Sequence, residues 1–140
     1  TAAIDSLFET RAMPHDTDSD ILLTHFEWTV ERLAEILKQE PSEYFRDAAL
    51  QRFGFTCEVA FKCLRPLAGG LDEPGSELAW AAARGFFGKA QGWEGIVEDY
   101  REINQKPARE RADAIYARLA GYLACFRALL AGLKARQTGA

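Results

Sequence analysis

The order of apolar and polar residues along this 140-residue chain predicts helices and no strands. From Asp20 to about Lys38, apolar residues recur at steps of three and four, which is the spacing of one helix face. No segment alternates apolar and polar residues long enough to indicate a β-strand. The polar stretch Pro14–Ser19 predicts a loop before this first helix. Residues 1–19 are therefore expected to form an N-terminal extension.

Four further helices follow, separated by proline- and glycine-containing turns. Their predicted bounds are about Glu43 to Leu67, Ser76 to Lys89, Trp93 to Asn104 and Pro107 to Lys134. Ser42 is placed to cap the second helix, and Pro107 suits the first position of the last one. Five helices joined by short turns predict an all-α fold, an antiparallel up-and-down helical bundle of four to five helices. The length predicts one domain over 1–140, with the bundle at about 20–134.

A helical-wheel projection of the second helix leaves little of its circumference polar. The broad apolar face consists of Leu50, Phe53, Cys57, Ala60, Phe61 and Leu64. The polar side consists of Asp47, Gln51, Glu58, Lys62 and Arg65, and a mixed strip of Phe45, Arg52, Thr56, Val59 and Cys63 lies between the two. This helix is therefore predicted to be central in the bundle or covered by a second subunit. We expect a homodimer whose two-fold interface hides the apolar surface.

The composition restricts which binding partners and which cellular compartment we expect for the chain. The chain has 17 Lys and Arg against 21 Asp and Glu, and its net charge of −4 argues against a dedicated binder of duplex nucleic acid. A local basic groove remains compatible with that charge. The chain contains no run of about 20 apolar residues, so we expect no membrane span. No secretory signal is visible at Thr1–Asp5. Cys57, Cys63 and Cys125, an odd number without C-x-x-C spacing, predict reduced thiols in a cytoplasmic protein.

Metal and catalytic motifs are weak in this sequence. Four acids have the spacing of an EF-hand loop: Asp16, Asp18, Asp20 and Glu27. Ile21 stands where that loop needs a glycine, so helix capping explains these acids better than calcium binding. His15 and His25 are the only histidines and belong to no metal-binding or triad motif. We expect no metal, no cofactor and no catalytic residue.

Candidate binding residues lie on the second helix. Glu58 and Lys62 form an i, i+4 pair that is either a solvated helix face or a ligand-orienting pair. Arg52 projects among apolar residues, so its burial would require a carboxylate, carbonyl or phosphate partner. Alternatively, its stem lies along apolar surface with the guanidinium in water. Trp93 and Tyr100 could stack on a base, although aromatic residues at such spacing more often belong to a core.

The second-helix segment reads Q-R-F-G-F-T-C-E-V-A-F-K-C-L over residues 51–64. It resembles the second helix of the nucleotidyltransferase substrate-binding proteins of the HEPN group, small bacterial and archaeal helical bundles whose helix reads like Q-R-F-E-F-T-F-E-x-A-W-K-x-L. The matching residues are Gln51, Arg52, Phe53, Phe55, Thr56, Glu58, Ala60, Lys62 and Leu64. Gly54, Cys57 and Phe61 depart from the pattern. The resemblance extends over roughly residues 20–134.

This resemblance implies a homodimeric bundle that works beside a separately encoded minimal nucleotidyltransferase. The transferase would carry the metal-binding carboxylates, while the bundle would bind a nucleotide, RNA or other substrate at a dimer groove or act in a toxin–antitoxin-type pair. Arg52 would then pair with an anion or with a carboxylate across the dimer. Glu58 and Lys62 would orient a polar ligand, and Arg101 would add to the same site.

Some members of the HEPN group are metal-independent ribonucleases that use an R-x-x-x-x-H motif. The motif's arginine position falls on Tyr100 here, and its histidine position falls on Gln105. A slip to Arg101 places only Lys106–Ala108 five to seven positions later. Because glutamine cannot exchange a proton as histidine does, we expect a non-enzymatic partner subunit. The alternatives are a ribonuclease toxin and a free-standing dimer without a transferase.

Overall fold

The computed structural model describes residues 13–69 and 76–137, and these residues form five helices. The helices are α1 (Met13–Leu37), α2 (Glu43–Ala68), α3 (Ser76–Ala83), α4 (Glu94–Ile103) and α5 (Arg109–Gln137). No strand occurs within these two ranges. The predicted all-α bundle is therefore confirmed.

Hydrogen bonds between α1 and α2 show that the two helices run antiparallel. The Arg52 guanidinium donates to the Arg32 carbonyl at 2.8 Å, and the Cys63 thiol donates to the Leu22 carbonyl at 3.5 Å. Positions that rise along α2 therefore meet positions that fall along α1. The salt bridges between α1 and α5 show the same antiparallel relation: Glu31–Arg127 and Glu27–Lys134.

Helix α4 completes the bundle by packing antiparallel between α2 and α5. Tyr100 of α4 donates a hydrogen bond to Glu58 of α2, and Arg118 of α5 pairs with Asp99 of α4. The four longer helices thus alternate in direction around the bundle, with α2 and α5 parallel across its diagonal. The short α3 lies in the connection between α2 and α4 and packs against both.

The core is built around α2, which packs against each of the other four helices. Its predicted apolar face is buried throughout, as are Thr56 and Val59 of the mixed strip. At the centre of the bundle, the Phe53 ring stacks on Tyr122 with ring centroids 5.4 Å apart, and Phe126 packs edge-on against Phe26 at 6.2 Å. The central position of the second helix is confirmed. Because the chain's own helices provide this cover, the apolar second helix no longer argues for a second subunit, and the homodimer stays a prediction.

The first helix begins earlier than the sequence pattern predicted. The stretch 14–19, expected to be a loop, is helical, and α1 starts at Met13 rather than at Asp20. Pro14 falls in the first turn, where a missing backbone N–H costs no helix hydrogen bond. The EF-hand-like acids therefore lie along a continuous helix and not in a loop. Residues 1–12 of the predicted extension lie outside the described residues.

The third helix ends earlier than predicted, at Ala83 instead of Lys89. Gly85 adopts a φ of 78°, which is the left-handed conformation in which helices commonly end. The predicted cap of the second helix is confirmed, because the Ser42 side chain accepts a hydrogen bond from the backbone N–H of Phe45 at 3.1 Å.

Helix α5 is long and apolar enough, by length and composition, to cross a membrane, although charged residues interrupt its apolar sequence. Its larger apolar side chains, such as Leu119 and Phe126, are buried in the bundle core. Many of its exposed positions are alanines, among them Ala117, Ala120 and Ala124. These alanines raise the mean hydropathy of α5, although its large apolar side chains pack in the core of the bundle.

A buried carboxylate joins α4 to α5. Asp99 is only 4% exposed, and both of its oxygens accept hydrogen bonds from the Arg118 guanidinium, at 2.7 and 2.9 Å. The Tyr122 hydroxyl donates to the same carboxylate at 2.6 Å. Burial, together with this hydrogen bond to Asp99, raises the pKa of Tyr122. A side chain at Gly95, one helical turn before Asp99, would collide with the Tyr122 hydroxyl.

Removal of the Arg118 guanidinium is expected to destabilise the bundle strongly. Arg118→Ala leaves Asp99 buried with one hydrogen-bond partner, so we expect the free energy of unfolding to fall by about 2–4 kcal/mol. The matched control is Arg127→Ala on the same helix, whose half-exposed ion pair with Glu31 should contribute less than about 1 kcal/mol. Urea unfolding of both variants measures the difference. Equal losses would show that the Asp99 contact is no more important than a surface pair.

Cys63 is expected to make stability fall at alkaline pH. Burial raises the pKa of its thiol to about 11, from 9.0, so the folded chain keeps this proton at pH values where the unfolded chain loses it. The free energy of unfolding should therefore decrease as the pH rises from 9 towards 11. Cys63→Ser keeps a hydrogen-bond donor but does not titrate, and should reduce this slope by less than about 1.4 kcal/mol per pH unit. An unchanged slope in urea unfolding across this pH range would contradict the assignment.

Candidate functional site

A groove of about 620 Å³ lies between α2 and the connection from α4 to α5. Its lining residues come from the outward side of α2 and from the end of α4 and the turn that follows. They are Asp47, Leu50, Gln51, Arg52, Gly54, Phe55, Glu58, Ile103, Asn104 and Pro107. Two of the four predicted site residues, Arg52 and Glu58, are therefore brought to the same groove.

The shape of this groove depends on a glycine within α2. A Cβ atom at Gly54 would lie 2.9 Å from the Cδ1 atom of Ile103, which is closer than side-chain atoms ordinarily approach. The absence of a side chain at Gly54 lets the end of α4 pack directly on α2. Glycine in a helix interior costs up to about 1 kcal/mol relative to alanine, so the close approach offsets a local penalty. This is one of the positions where the chain departs from the pattern of the HEPN-group helix.

The position of Arg52 was predicted to require a carboxylate, a carbonyl or a phosphate partner, and the structure provides a carbonyl. Its guanidinium donates to the Arg32 carbonyl, so a backbone oxygen of α1 satisfies part of its hydrogen-bonding capacity. One such bond leaves most of the five N–H donors of an arginine available to other groups. The ion pairs found within residues 13–69 and 76–137 do not include Arg52. Arg52 therefore lines the groove as a cation outside these ion pairs.

Glu58 is held by α4 and not by its neighbour on α2. The Tyr100 hydroxyl donates to a Glu58 carboxylate oxygen at 3.1 Å, and burial together with this bond raises the pKa of Tyr100. In the described part of the chain, Glu58 and Lys62 do not form the expected i, i+4 ion pair. The Tyr100 ring packs edge-on against Phe61 at 5.4 Å. Tyr100 thus has a structural contact on both its ring and its hydroxyl.

The other two predicted site residues do not line the groove. Lys62 is exposed on α2, one helical turn beyond Glu58. Arg101 is exposed on α4, next to Tyr100. The family-like helix therefore supplies two groove residues, and the cations predicted to complete the site lie outside it.

The segment aligned with the ribonuclease motif forms part of the groove wall without supplying an imidazole. Gln105 is exposed in the turn that follows α4, and Asn104 and Pro107 on either side of it line the groove. The lining residues include no histidine. The arrangement offers hydrogen-bond donors and acceptors to a bound molecule, together with one cation.

Trp93, suggested as a base-stacking residue, packs inside the fold. Its ring stacks on Phe87, with centroids 5.8 Å apart and planes 6° from parallel. Trp93 and Tyr100 are both half-buried, and each ring already packs against a phenylalanine of the fold. Among the described residues, the exposed Trp, Tyr and Phe side chains are Trp28 on α1, which is 52% exposed, and Tyr44 and Phe55 on α2, which are 75% and 45% exposed.

Several residues of the groove were not anticipated from the sequence. Asp47 had been assigned only to the polar side of α2, and Asn104 only to the end of the fourth helix. Asp99 does not line the groove, but its sequence position was informative, because it lies three residues after Ile96 on the inward side of α4, where a charged residue requires a partner. In residues 13–69 and 76–137, no group of three or more His, Cys, Asp or Glu side chains is arranged to hold a metal ion.

Comparison with known proteins does not identify a family for this chain, so the proposed function rests on the geometry of the groove. No family model matches the chain, no curated protein matches it, and no solved structure matches it. The resemblance of the second helix to the HEPN-group substrate-binding proteins therefore stays a hypothesis.

Proposed function

We propose that this chain is a non-catalytic, homodimeric partner subunit of a separately encoded minimal nucleotidyltransferase, in a cytoplasmic pair of the toxin–antitoxin type. In this proposal the subunit holds a nucleotide or another small substrate while the transferase performs the chemistry. The observation that carries it is the groove beside α2, where Arg52 and Glu58 of the family-like helix meet the end of α4. The groove has the volume of a small-molecule site.

The charges of the groove favour a nucleotide over a long polyanion. Arg52 supplies one cation for a phosphate group, whereas Asp47 and Glu58 supply two carboxylates. Carboxylates accept hydrogen bonds from ribose hydroxyls and base amino groups but repel additional phosphates. A ligand with one or a few phosphates beside hydroxyl and amino groups fits this combination.

The proposed role is binding because the residues at the ribonuclease positions have other contacts or the wrong chemistry. Tyr100 is engaged with Glu58 and Phe61, and its raised pKa makes it a poorer acid near neutral pH. Gln105 cannot exchange a proton. Metal-independent RNA cleavage needs a general acid and base, which these two positions do not supply.

The test begins with the neighbouring reading frames, which we expect to encode a small protein with a G-S and paired-Asp transferase motif. Co-expression of the two proteins should give a complex that binds ATP, used as the probe, in isothermal titration calorimetry. Arg52→Gln and Glu58→Gln should each weaken ATP binding about tenfold, because each removes one charge-assisted hydrogen bond worth about 1.4 kcal/mol.

The matched control is the pair Arg127→Gln and Glu31→Gln, which lies at the α1–α5 contact and outside the groove. These variants should bind ATP and the transferase as the wild type does. Wild-type affinity in both groove variants would contradict the site. RNA cleavage without metal that co-elutes with the bundle and disappears in Arg101→Ala would replace this proposal with the ribonuclease alternative.

The homodimer is tested separately by its mass in solution. Sedimentation equilibrium at micromolar concentration should give twice the 15.6 kDa of one chain. The packing of α2 by its own chain removes one reason to expect dimers, so the measurement tests the implication of the family resemblance alone. A mass of 15.6 kDa across the accessible concentration range would show that the subunit acts as a monomer.

A further inference from the structure

Exposed aromatic and basic side chains lie together on the outer surface of α1 and α2. We call this surface the aromatic–basic face, and its residues are His25, Trp28 and Arg32 of α1 and Arg52, Phe55 and Lys62 of α2. The three α1 residues follow one another at steps of three and four, and Phe55 and Lys62 are seven residues apart, so each set shares one side of its helix. The antiparallel packing of α1 on α2 places the two sets side by side.

The aromatic rings of this face are in contact with one another but are only partly covered. The His25 ring lies with its centroid 5.5 Å from that of Phe55, edge to face, and 6.1 Å from that of Trp28. The Arg32 guanidinium lies 5.6 Å from the centroid of the Trp28 ring. About half of the Trp28 and Phe55 surfaces remain open to solvent. A planar group could therefore contact either ring without displacing the core.

Two acids of α1 are paired with α5 and not with the cations of this surface. Glu27 pairs with Lys134 of α5, and Glu31 pairs with Arg127 of the same helix. Lys62, like Arg52, takes no part in the ion pairs found within residues 13–69 and 76–137. Two acids adjoin the face: Glu35, which pairs with Arg32, and Glu58, which lies on α2 between Phe55 and Lys62 and accepts a hydrogen bond from Tyr100. The face thus offers two cations outside these ion pairs, Arg52 and Lys62, beside exposed aromatic rings.

We propose that the aromatic–basic face binds a short single-stranded oligonucleotide. Bases stack on exposed aromatic rings without regard to sequence, and the flanking cations contact the phosphates. From His25 to Arg32 the helix rises by about 10 Å, which matches about three stacked nucleotides. A second copy of the chain is a poorer occupant, because a two-fold axis through this face would bring Arg52 and Lys62 towards like charges.

This inference goes beyond the proposed function and does not depend on a transferase. The face adjoins the groove through Arg52 and Phe55, which belong to both. Trp28 and Lys62 belong to the face alone, because neither lines the groove. Variants at these two residues therefore test oligonucleotide binding separately from nucleotide binding in the groove.

The experiment measures binding of a fluorescein-labelled oligouridylate of about twelve nucleotides to the purified full chain by fluorescence anisotropy. Trp28→Leu, which keeps an apolar side chain but removes the ring, should weaken binding about tenfold, whereas Trp28→Phe should retain most of the affinity. Lys62→Gln should lower the slope of log K against log salt by about 0.7. Lys89→Gln, an exposed lysine in the turn after α3, is the matched control and should leave affinity and slope unchanged.

Thermal unfolding by circular dichroism should show all four variants folded, because each replaced side chain is exposed. A duplex of equal length should bind at least about tenfold more weakly, because its bases are not free to stack. The proposal is wrong if no binding occurs below about 100 µM protein at low salt. Wild-type affinity in Trp28→Leu, or equal effects of Lys62→Gln and Lys89→Gln, would also overturn it. If Trp28→Leu instead abolishes binding of the transferase and no oligonucleotide binds, the face is a protein interface.

Discussion

The position of α4 depends on the requirement that a buried carboxylate be paired. Asp99 is almost fully removed from water, so its charge is tolerated only because Arg118 and Tyr122 of α5 direct donors at it. This anchor fixes one side of a helix of ten residues, which is too short to be stable without its packing contacts. Other residues of α4 then reach α2, where Tyr100 contacts Glu58 and Ile103 lies against Gly54. The groove exists because α4 is held in this place.

Most of the fold could be predicted from the sequence, because apolar periodicity reports directly which face of each helix is buried. It identified α2 as central and its ends nearly to the residue, since Ser42 and the glycines after the helix are strong boundary residues. The start of α1 was missed because polar residues are as compatible with an exposed helical turn as with a loop. The end of α3 was missed because apolar spacing does not report the left-handed backbone conformation that Gly85 adopts, with a φ of 78°.

Only part of the candidate site could be predicted from the sequence. A helical wheel states in which direction Arg52 and Glu58 project from α2, but not which element faces them. Their partners, Arg32 and Tyr100, are 20 and 42 residues away in sequence. Lys62 lies on the same helix as Glu58, and the i, i+4 rule alone favoured their pairing. In the structure, Glu58 instead accepts a hydrogen bond from Tyr100 of α4. Glu58 therefore lines the groove, whereas Lys62 lies outside it.

Arg52 connects the two surfaces for which binding is proposed. Its guanidinium reaches the backbone of α1, lines the groove and borders the aromatic–basic face. The groove itself carries two carboxylates beside Arg52, whereas the face beyond Phe55 carries Lys62 and exposed aromatic rings. A single-stranded chain lying on the face would therefore be repelled from the groove along most of its length, but one terminal nucleotide could enter it with its phosphate at Arg52. Under this arrangement the groove would distinguish the end of a strand from its interior by charge, without contacts that depend on base sequence.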